Sequence, residues 1–417
     1  MFLDGLKQAR GQIRTKCLAE YCRLSMIRIL IVGAGIGGLT LARALAGLDC
    51  VIEVAERFPS FSPKGVGIVL HPNGLEVLGR LGLLEEINAV SNVVDCMELA
   101  RGGTTVTIPL CEVWQGVGHM TRALLRSDLH DVLLRGALEA HPHHMRCRLS
   151  CRVLSIESRD SCVVAHFEDG DTQSYDLIVG ADGVHSSVRQ SLLPESVASS
   201  TNLFYFRWLA ENVIGLDPST WRTIERPDCA YGFIPVGRNR VHCFVQLAAG
   251  AVPCPRGEEA SWLEITFANR EPNLLQSLDA RCSTIHADFA WTVRPAQWGV
   301  GQSVLIGDAS HAVSPTLSQG GSLAMEDALV LAAALRESES LTQAIEFYRS
   351  SRKERVAWAL RMSVAQLNSL RRGRPAEHTS AAIAISHLQH VYHPLRCDPM
   401  PKLAATSRLN PERDTQK

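Results

Sequence analysis

The feature that most constrains this chain begins at Ile27, where the run IRILIVGAG ends in glycines, IGGLTLARALAGL follows at helical spacing, and CVIEVAER forms a second apolar run. A short β-branched stretch ending in glycines predicts a strand, and the 3.6-residue period after it predicts a helix. The segment therefore reads as a βαβ unit. Gly33, Gly35 and Gly38 fall at the strand-to-helix turn as GxGxxG. The first suits the tight turn, the second lets backbone approach a pyrophosphate, and the third lets the helix pack on the strand. Ile36 and Gly37 open that helix, whose unpaired N–H groups and partial positive charge suit phosphates. Glu56 closes the second strand near the spacing of about 20 residues expected of a carboxylate that accepts ribose hydroxyls. Arg57 follows it, on the adenine side. The loop predicts an adenosine diphosphate half and leaves NAD and FAD equally open.

At 417 residues the chain exceeds the size at which single cores stop growing, so two associated units or one composite domain are expected. Lys and Arg total 42 against 43 Asp and Glu, which leaves no net field to gather nucleic acid or anionic lipid. No apolar run reaches the length of a membrane span and no secretory pattern is present, so no integral membrane span is expected and the default location is cytoplasmic. The 13 cysteines are scattered, with no CxxC pair and no Cys/His cluster at zinc spacing, which fits a reducing compartment and predicts no metal site. No heptad seam or other self-association pattern is visible, so monomer and homodimer both stay open.

Residues 1–25 read as an optional N-terminal extension ahead of Met26. Helices are expected at Gly74–Leu84 and Arg126–Leu138, and strands at CRVLSIES, CVVAHFEDG and YDLIVGADG. Between about 195 and 295, NLFYFRWLA, YGFIPVG and RVHCFVQLA predict an antiparallel sheet, with a hairpin turning at Gly237-Arg238-Asn239-Arg240. From Leu323 the pattern is mostly helical, and the polar, Pro-rich segment 394–417 reads as a disordered tail.

Two further stretches are specific: DLIVGADGVHSSVR, from Asp176 to Arg189, and GDASHAVSPTLSQGGSLAMEDA, from Gly307 to Ala328. With the first loop, they make the chain from Met26 to about Arg355 resemble the single-component (group A) FAD-dependent monooxygenases, the family of para-hydroxybenzoate and salicylate hydroxylases. The fold this implies is α/β with α+β character. A Rossmann-like FAD-binding domain (26–97, 118–192 and 290–345) is interleaved with a substrate-binding antiparallel sheet (98–117 and 193–289) and followed by C-terminal helices (346–393). The resemblance implies that Asp182 and Gly183 lie near the pyrophosphate and serve both FAD and NAD(P)H. It further implies that Gly307 and Asp308 hold the ribityl and pyrophosphate region, that Arg126 reaches the phosphates, and that Gly65 and Gly67 pass beside the isoalloxazine. Pro315, Gly320, Gly321 and Ser322 belong to the same flavin-facing stretch. Ser318 is expected to cap the helix that follows, whose N–H groups would stabilise negative charge on reduced flavin. The chain departs from the family pattern at Ala312, Ser318 and Ser322, where proline, glycine and asparagine are usual.

The implied cycle uses NADPH or NADH as transient co-substrate, FAD as resident cofactor and O2 as oxidant, and delivers one oxygen through a flavin C4a-hydroperoxide to an aromatic or related electron-rich molecule. An acidic ring hydroxyl wants a proton acceptor on the sheet facing the flavin, and His242 is the first candidate. Arg207 and Tyr231 are next, for an anionic substituent and a hydroxyl respectively. His311 is expected to orient the loop rather than transfer protons. Epoxidation of an alkene by the same oxidant, and a non-enzymatic flavoprotein switch, are the alternatives.

Overall fold

In the computed structural model of the chain, residues 26–61, 66–249, 252–268, 271–294, 297–371 and 381–392 are described. The 1–25 extension, Gly65 and the 394–417 tail lie outside them. The chain enters as β1 (Ile27–Val32), α1 (Ile36–Ala44) and β2 (Cys50–Ala55), passes through β3 (Gly67–Leu70), α2 (Pro72–Arg80) and α3 (Arg126–Ala140), and returns to the first sheet as β4 (Leu177–Gly180). The second sheet follows as β5 (Ser199–Glu211), β6 (Thr220–Glu225), β7 (Cys229–Gly237), β8 (Arg240–Ala248) and β9 (His286–Thr292). Then come β10 (Ser303–Leu305) and the helices α4 (Gly320–Glu337), α5 (Leu341–Arg371) and α6 (Ala381–Val391).

The first sheet has the order 299–300, β10, β4, β1, β2, 145–148, and every pairing is parallel except that of the 299–300 edge. Ile29, Leu30 and Ile31 of β1 are fully buried because helices cover one face and a small three-stranded sheet the other. A Cβ at Gly33 would lie 2.5 Å from the Ala181 carbonyl oxygen and φ there is +104°, while a Cβ at Gly38 would lie 2.1 Å from the Gly33 oxygen. Helix and strand therefore meet at backbone distance.

The second sheet runs β9, β5, β8, β7, β6, Cys96–Arg101, Thr104–Pro109. The expectation of a wholly antiparallel sheet is corrected at one join, where β6 pairs in parallel with Cys96–Arg101, a strand that arrives from the N-terminal half. The β7–β8 hairpin turns at Arg238 and Asn239, both at positive φ, as a two-residue loop matched to strand twist requires. The boundaries expected at 97/98 and 289/290 fall inside Cys96–Arg101 and β9, and α5 runs unbroken across 345/346. Among the described residues no helix is long and apolar enough to cross a membrane.

Candidate active site

A cavity of about 680 Å³ opens between the C-terminal ends of the parallel strands and one face of the second sheet. Ligands bind at that end of an open α/β sheet because strand ends leave a crevice between diverging loops. Gly33, Gly35, Ile36 and Gly37 line it from the β1–α1 turn. The first turn of α1 carries neither an acidic residue nor a capping side chain, so its positive end is left to the cavity. A Cβ on Gly35 would meet no protein atom within 4 Å, so the space beside it belongs to the cavity. Glu56 also lines the cavity, and its carboxylate is oriented by the N–H groups of Ala34 (2.9 Å) and Phe58 (3.0 Å). Arg57 is exposed at the rim, with its guanidinium 5.0 Å from the Phe58 ring centre.

Arg126, the first residue of α3, lines the wall facing Asp308. Burial lowers the Arg126 pKa, against the favourable field of Asp308. One turn along α3, the His130 imidazole meets the Ala34 carbonyl at 2.8 Å and so braces the glycine loop. Sequence reasoning missed His130, although the i,i+4 spacing from Arg126 placed it on the same face.

Asp182 and Gly183 reach the cavity from the end of β4. Asp182 is not simply free for a ligand: its Oδ2 accepts from the Ser187 amide (2.7 Å), the Ser187 hydroxyl (3.1 Å) and the Val188 amide (3.4 Å), orienting the helix Ser187–Leu192. Its Oδ1 is buried without a hydrogen-bond partner among the described residues, and burial raises the carboxyl pKa. Gly307, Asp308, Pro315, Gly320 and Gly321 line the opposite wall. Asp308 opens into the cavity with protein around its base, and burial raises its pKa against the fields of His311 and Arg126. His311 itself is buried, 2.5 Å from Asp327, which agrees with an orienting position.

Ser318 is not the N-cap of α4. It sits at φ +53°, ψ +31°, ending the 3₁₀ turn Pro315–Leu317, and Gln319 precedes the helix instead. A serine in the left-handed region places Cβ against its own carbonyl, where glycine has no such conflict. Ser318→Gly is therefore expected to raise stability by about 1 kcal/mol, read as a shift in urea midpoint at constant m-value. Ser322 is likewise corrected. Its hydroxyl lies beside Gly74 of α2, where a Cβ would approach it to 2.6 Å, and not in the cavity wall.

The second sheet supplies the rest. Arg207 on β5 and His242 on β8 line the cavity with Tyr205, Phe244 and Gln246, which share their strand faces at two-residue spacing and which sequence reasoning missed. The Phe244 ring lies over Gly232, where a Cβ would come within 2.5 Å of it, so Phe244 forms a flat apolar floor. A Cβ on Gly67 of β3 would meet the His242 Cβ at 2.6 Å, which puts the flavin-side loop and the sheet in contact. Arg207 makes no hydrogen bond or ion pair to a described residue, its guanidinium carbon lies 6.0 Å from the Tyr205 ring centre, and Asp288 acts on it through its field. Tyr231 is a correction. It lies on the opposite face of β7, and its hydroxyl bonds Glu271 within the core formed with Phe233 and Phe267.

Burial, aided by the Arg207 charge, pushes the His242 pKa down to about 3, and burial alone pushes His71 down to about 4. Both stay neutral in the folded protein while the unfolded chain protonates near pH 6.5, so stability is full above that value and falls as pH drops toward the folded values. Each histidine is expected to withdraw about 2 kcal/mol between pH 7 and 5. Urea titrations at the two pH values check this, with His71→Phe flattening the dependence by one histidine's share.

The donors fit a flavin dinucleotide: helix N-termini for its phosphates, Glu56 for its ribose, an orphan Asp182 oxygen, and α4 with no acidic residue in its first turn facing the ring. This arrangement defines an FAD-dependent oxidoreductase. The chain belongs to the FAD binding domain family, whose model matches residues 26–363. It is 30% identical over 347 residues to 3-amino-4-hydroxybenzoate 2-monooxygenase of Streptomyces cremeus, covering 79% of this chain and 84% of that protein. It is 28% identical over 358 residues to 6-hydroxynicotinate 3-monooxygenase of Pseudomonas fluorescens, covering 81% and 90%. The structure of Klebsiella pneumoniae HpxO complexed with FAD and uric acid matches the fold with a TM-score of 0.75 at 22% identity, over 89% of this chain and 96% of that one. The chain is an FAD-dependent monooxygenase that uses NAD(P)H and O2.

Proposed function

We propose that the enzyme hydroxylates a small aromatic ring bearing an anionic group, carboxylate or equivalent, next to an acidic ring hydroxyl. The observation that carries this is Arg207, a guanidinium lining the substrate half of the cavity that forms no ion pair with a described residue, Asp288 acting on it only through its field. A cation held there has its strongest partner in a substrate anion, because a bidentate pair in a water-poor cleft gains more than one at the surface. The overall change consumes O2, NAD(P)H and a proton, replaces a ring C–H by C–OH, and releases water and NAD(P)+. Bound FAD supplies the two-electron chemistry that activates O2.

The protein's work is placement and exclusion of water. Phe244 and Ile234 give the ring a flat apolar surface, Arg207 fixes its orientation, and Gln246 and Tyr205 offer polar atoms at the far end. His242 is revised from a proton acceptor to a neutral hydrogen-bonding partner, since an imidazole with a pKa pushed down to about 3 holds a proton weakly. Gly35, Glu56, Arg126, Asp182, Asp308, Gly320 and Gly321 are assigned to FAD. We place the enzyme in the cytoplasm, because the free thiols among the described cysteines suit a reducing compartment, and take it as a monomer or homodimer.

The test is a purified preparation with a flavin absorption spectrum, assayed for NAD(P)H oxidation with 3-hydroxybenzoate, 6-hydroxynicotinate, urate and phenol. Strong stimulation by at least one anion, with oxygenated product, and weak stimulation by phenol are expected. Equal stimulation by phenol would remove the anion requirement.

A further inference from the structure

Behind the wall that carries Asp308 lies a charged cluster outside the cavity. Glu326 and Asp327 on α4 are 0% exposed and Arg352 on α5 is 1% exposed. Arg352 donates from Nε to Asp327 Oδ1 and from Nη1 to Glu326 Oε2, both at 2.7 Å. Arg355 donates twice to Glu326 at 2.6 Å, and Asn73 of α2 donates to Glu326 Oε1 (2.8 Å) and to Gln319 Oε1 (3.0 Å). The remaining Asp327 oxygen accepts the Gly307 amide at 2.9 Å and meets His311 Nε2 at 2.5 Å. Burying such charges is unfavourable unless every lone pair and proton is matched, and here the carboxylate oxygens all have partners.

None of these three residues lines the cavity, yet the segments they grip do. Asp327 holds the amide of Gly307, the residue before Asp308, in a turn with φ +57°. Through Asn73, Glu326 is tied to Gln319, the residue before Gly320 and Gly321. Arg352 spans both carboxylates, and so binds the two cavity-lining segments to each other and to α5.

We propose that Glu326, Asp327 and Arg352 are positioning residues for FAD, setting the spacing between the Asp308 turn and the N-terminus of α4 and thereby the affinity and environment of the flavin. The proposal rests on the assignment of this cavity to FAD. By it, α5 is part of the cofactor scaffold.

The experiment uses the purified holoenzyme, stripped of FAD and titrated with FAD, with flavin visible circular dichroism and reduction potential as readouts that general destabilisation would not move. Asp327→Asn, which turns an amide donor toward His311 or Arg352, and Arg352→Met are each expected to weaken FAD binding about tenfold or more, the loss that accompanies one charge-assisted hydrogen bond. Both are expected to alter the visible dichroism. Arg352→Lys keeps the charge without the fork and is expected to recover part of the affinity. Leu335→Ala, a core truncation elsewhere in α4, is expected to lower Tm while leaving FAD affinity within about twofold. If Asp327→Asn does not accumulate folded, Asn73→Ala carries the test, since it removes two hydrogen bonds without unpairing a charge and is expected to shift affinity and dichroism in the same direction. Parental FAD affinity and dichroism in Arg352→Met and Asn73→Ala would overturn the proposal. So would a loss of affinity in Leu335→Ala as large as in Arg352→Met. If FAD failed to bind the parent protein, the cofactor assignment itself would fall, a distinct outcome.

Discussion

Gly35→Val is expected to yield a folded protein that no longer holds FAD. A Cβ at Gly35 would meet no described atom beyond its chain neighbours within 4 Å, so the branch enters the cavity. The cost to the apoprotein is that of an unfavourable residue at the α1 N-cap, about 1 kcal/mol. A β-branched side chain placed where backbone must approach the pyrophosphate blocks the phosphates outright, so affinity should drop by on the order of a hundredfold or more. Absence of the flavin absorption bands from purified protein, beside an apoprotein urea midpoint close to the parent's, checks both halves. Gly33→Ala would not separate them, since its Cβ would strike the Ala181 carbonyl at 2.5 Å and disturb the fold itself.

Arg207→Met is the second large effect. Methionine keeps much of the stem and removes the only property the reading uses, the charge. Loss of a charge-assisted pair corresponds to about 1.5–3 kcal/mol, so kcat/KM for an anionic substrate should drop by roughly tenfold to a hundredfold, mainly through KM. Flavin content and the slow NAD(P)H oxidation without substrate should stay near parental values. Steady-state oxygen uptake with and without the aromatic anion makes the comparison. A uniform fall in both rates would show that Arg207 acts on the flavin rather than on the substrate.

The cofactor half was largely legible in the sequence because backbone geometry dictates it: a turn at φ +104°, and a helix so close that a Cβ at Gly38 would lie 2.1 Å from the Gly33 oxygen, admit glycine at Gly33 and Gly38. The substrate half was legible strand by strand but not face by face. His242 and Arg207 line the cavity while Tyr231 faces the core behind it, a split the sequence does not announce because every residue of β7 from Cys229 to Val236 is buried. A strand apolar on both faces carries no alternation to say which side a tyrosine takes. Tyr205, Phe244 and Gln246 follow from His242 and Arg207 once the face is known. The cap at Ser318 was misread for another reason: its hydroxyl suits a helix start, but a 3₁₀ turn ends there in the left-handed region and delays α4 to Gly320. The pairing of Glu326 and Asp327 with Arg352 joins two helices, and nothing local in either announces the other.

The parallel join between β6 and Cys96–Arg101 has a consequence for how the protein is made. On the ribosome, Cys96–Arg101 and Thr104–Pro109 emerge as a hairpin whose inner edge has no neighbour until β6 follows roughly a hundred residues later, a wait on the order of ten seconds at ordinary rates of synthesis. An unpaired edge of that kind invites pairing with other nascent chains. A chaperone that shields strand edges is therefore expected to raise the recovered yield of folded enzyme.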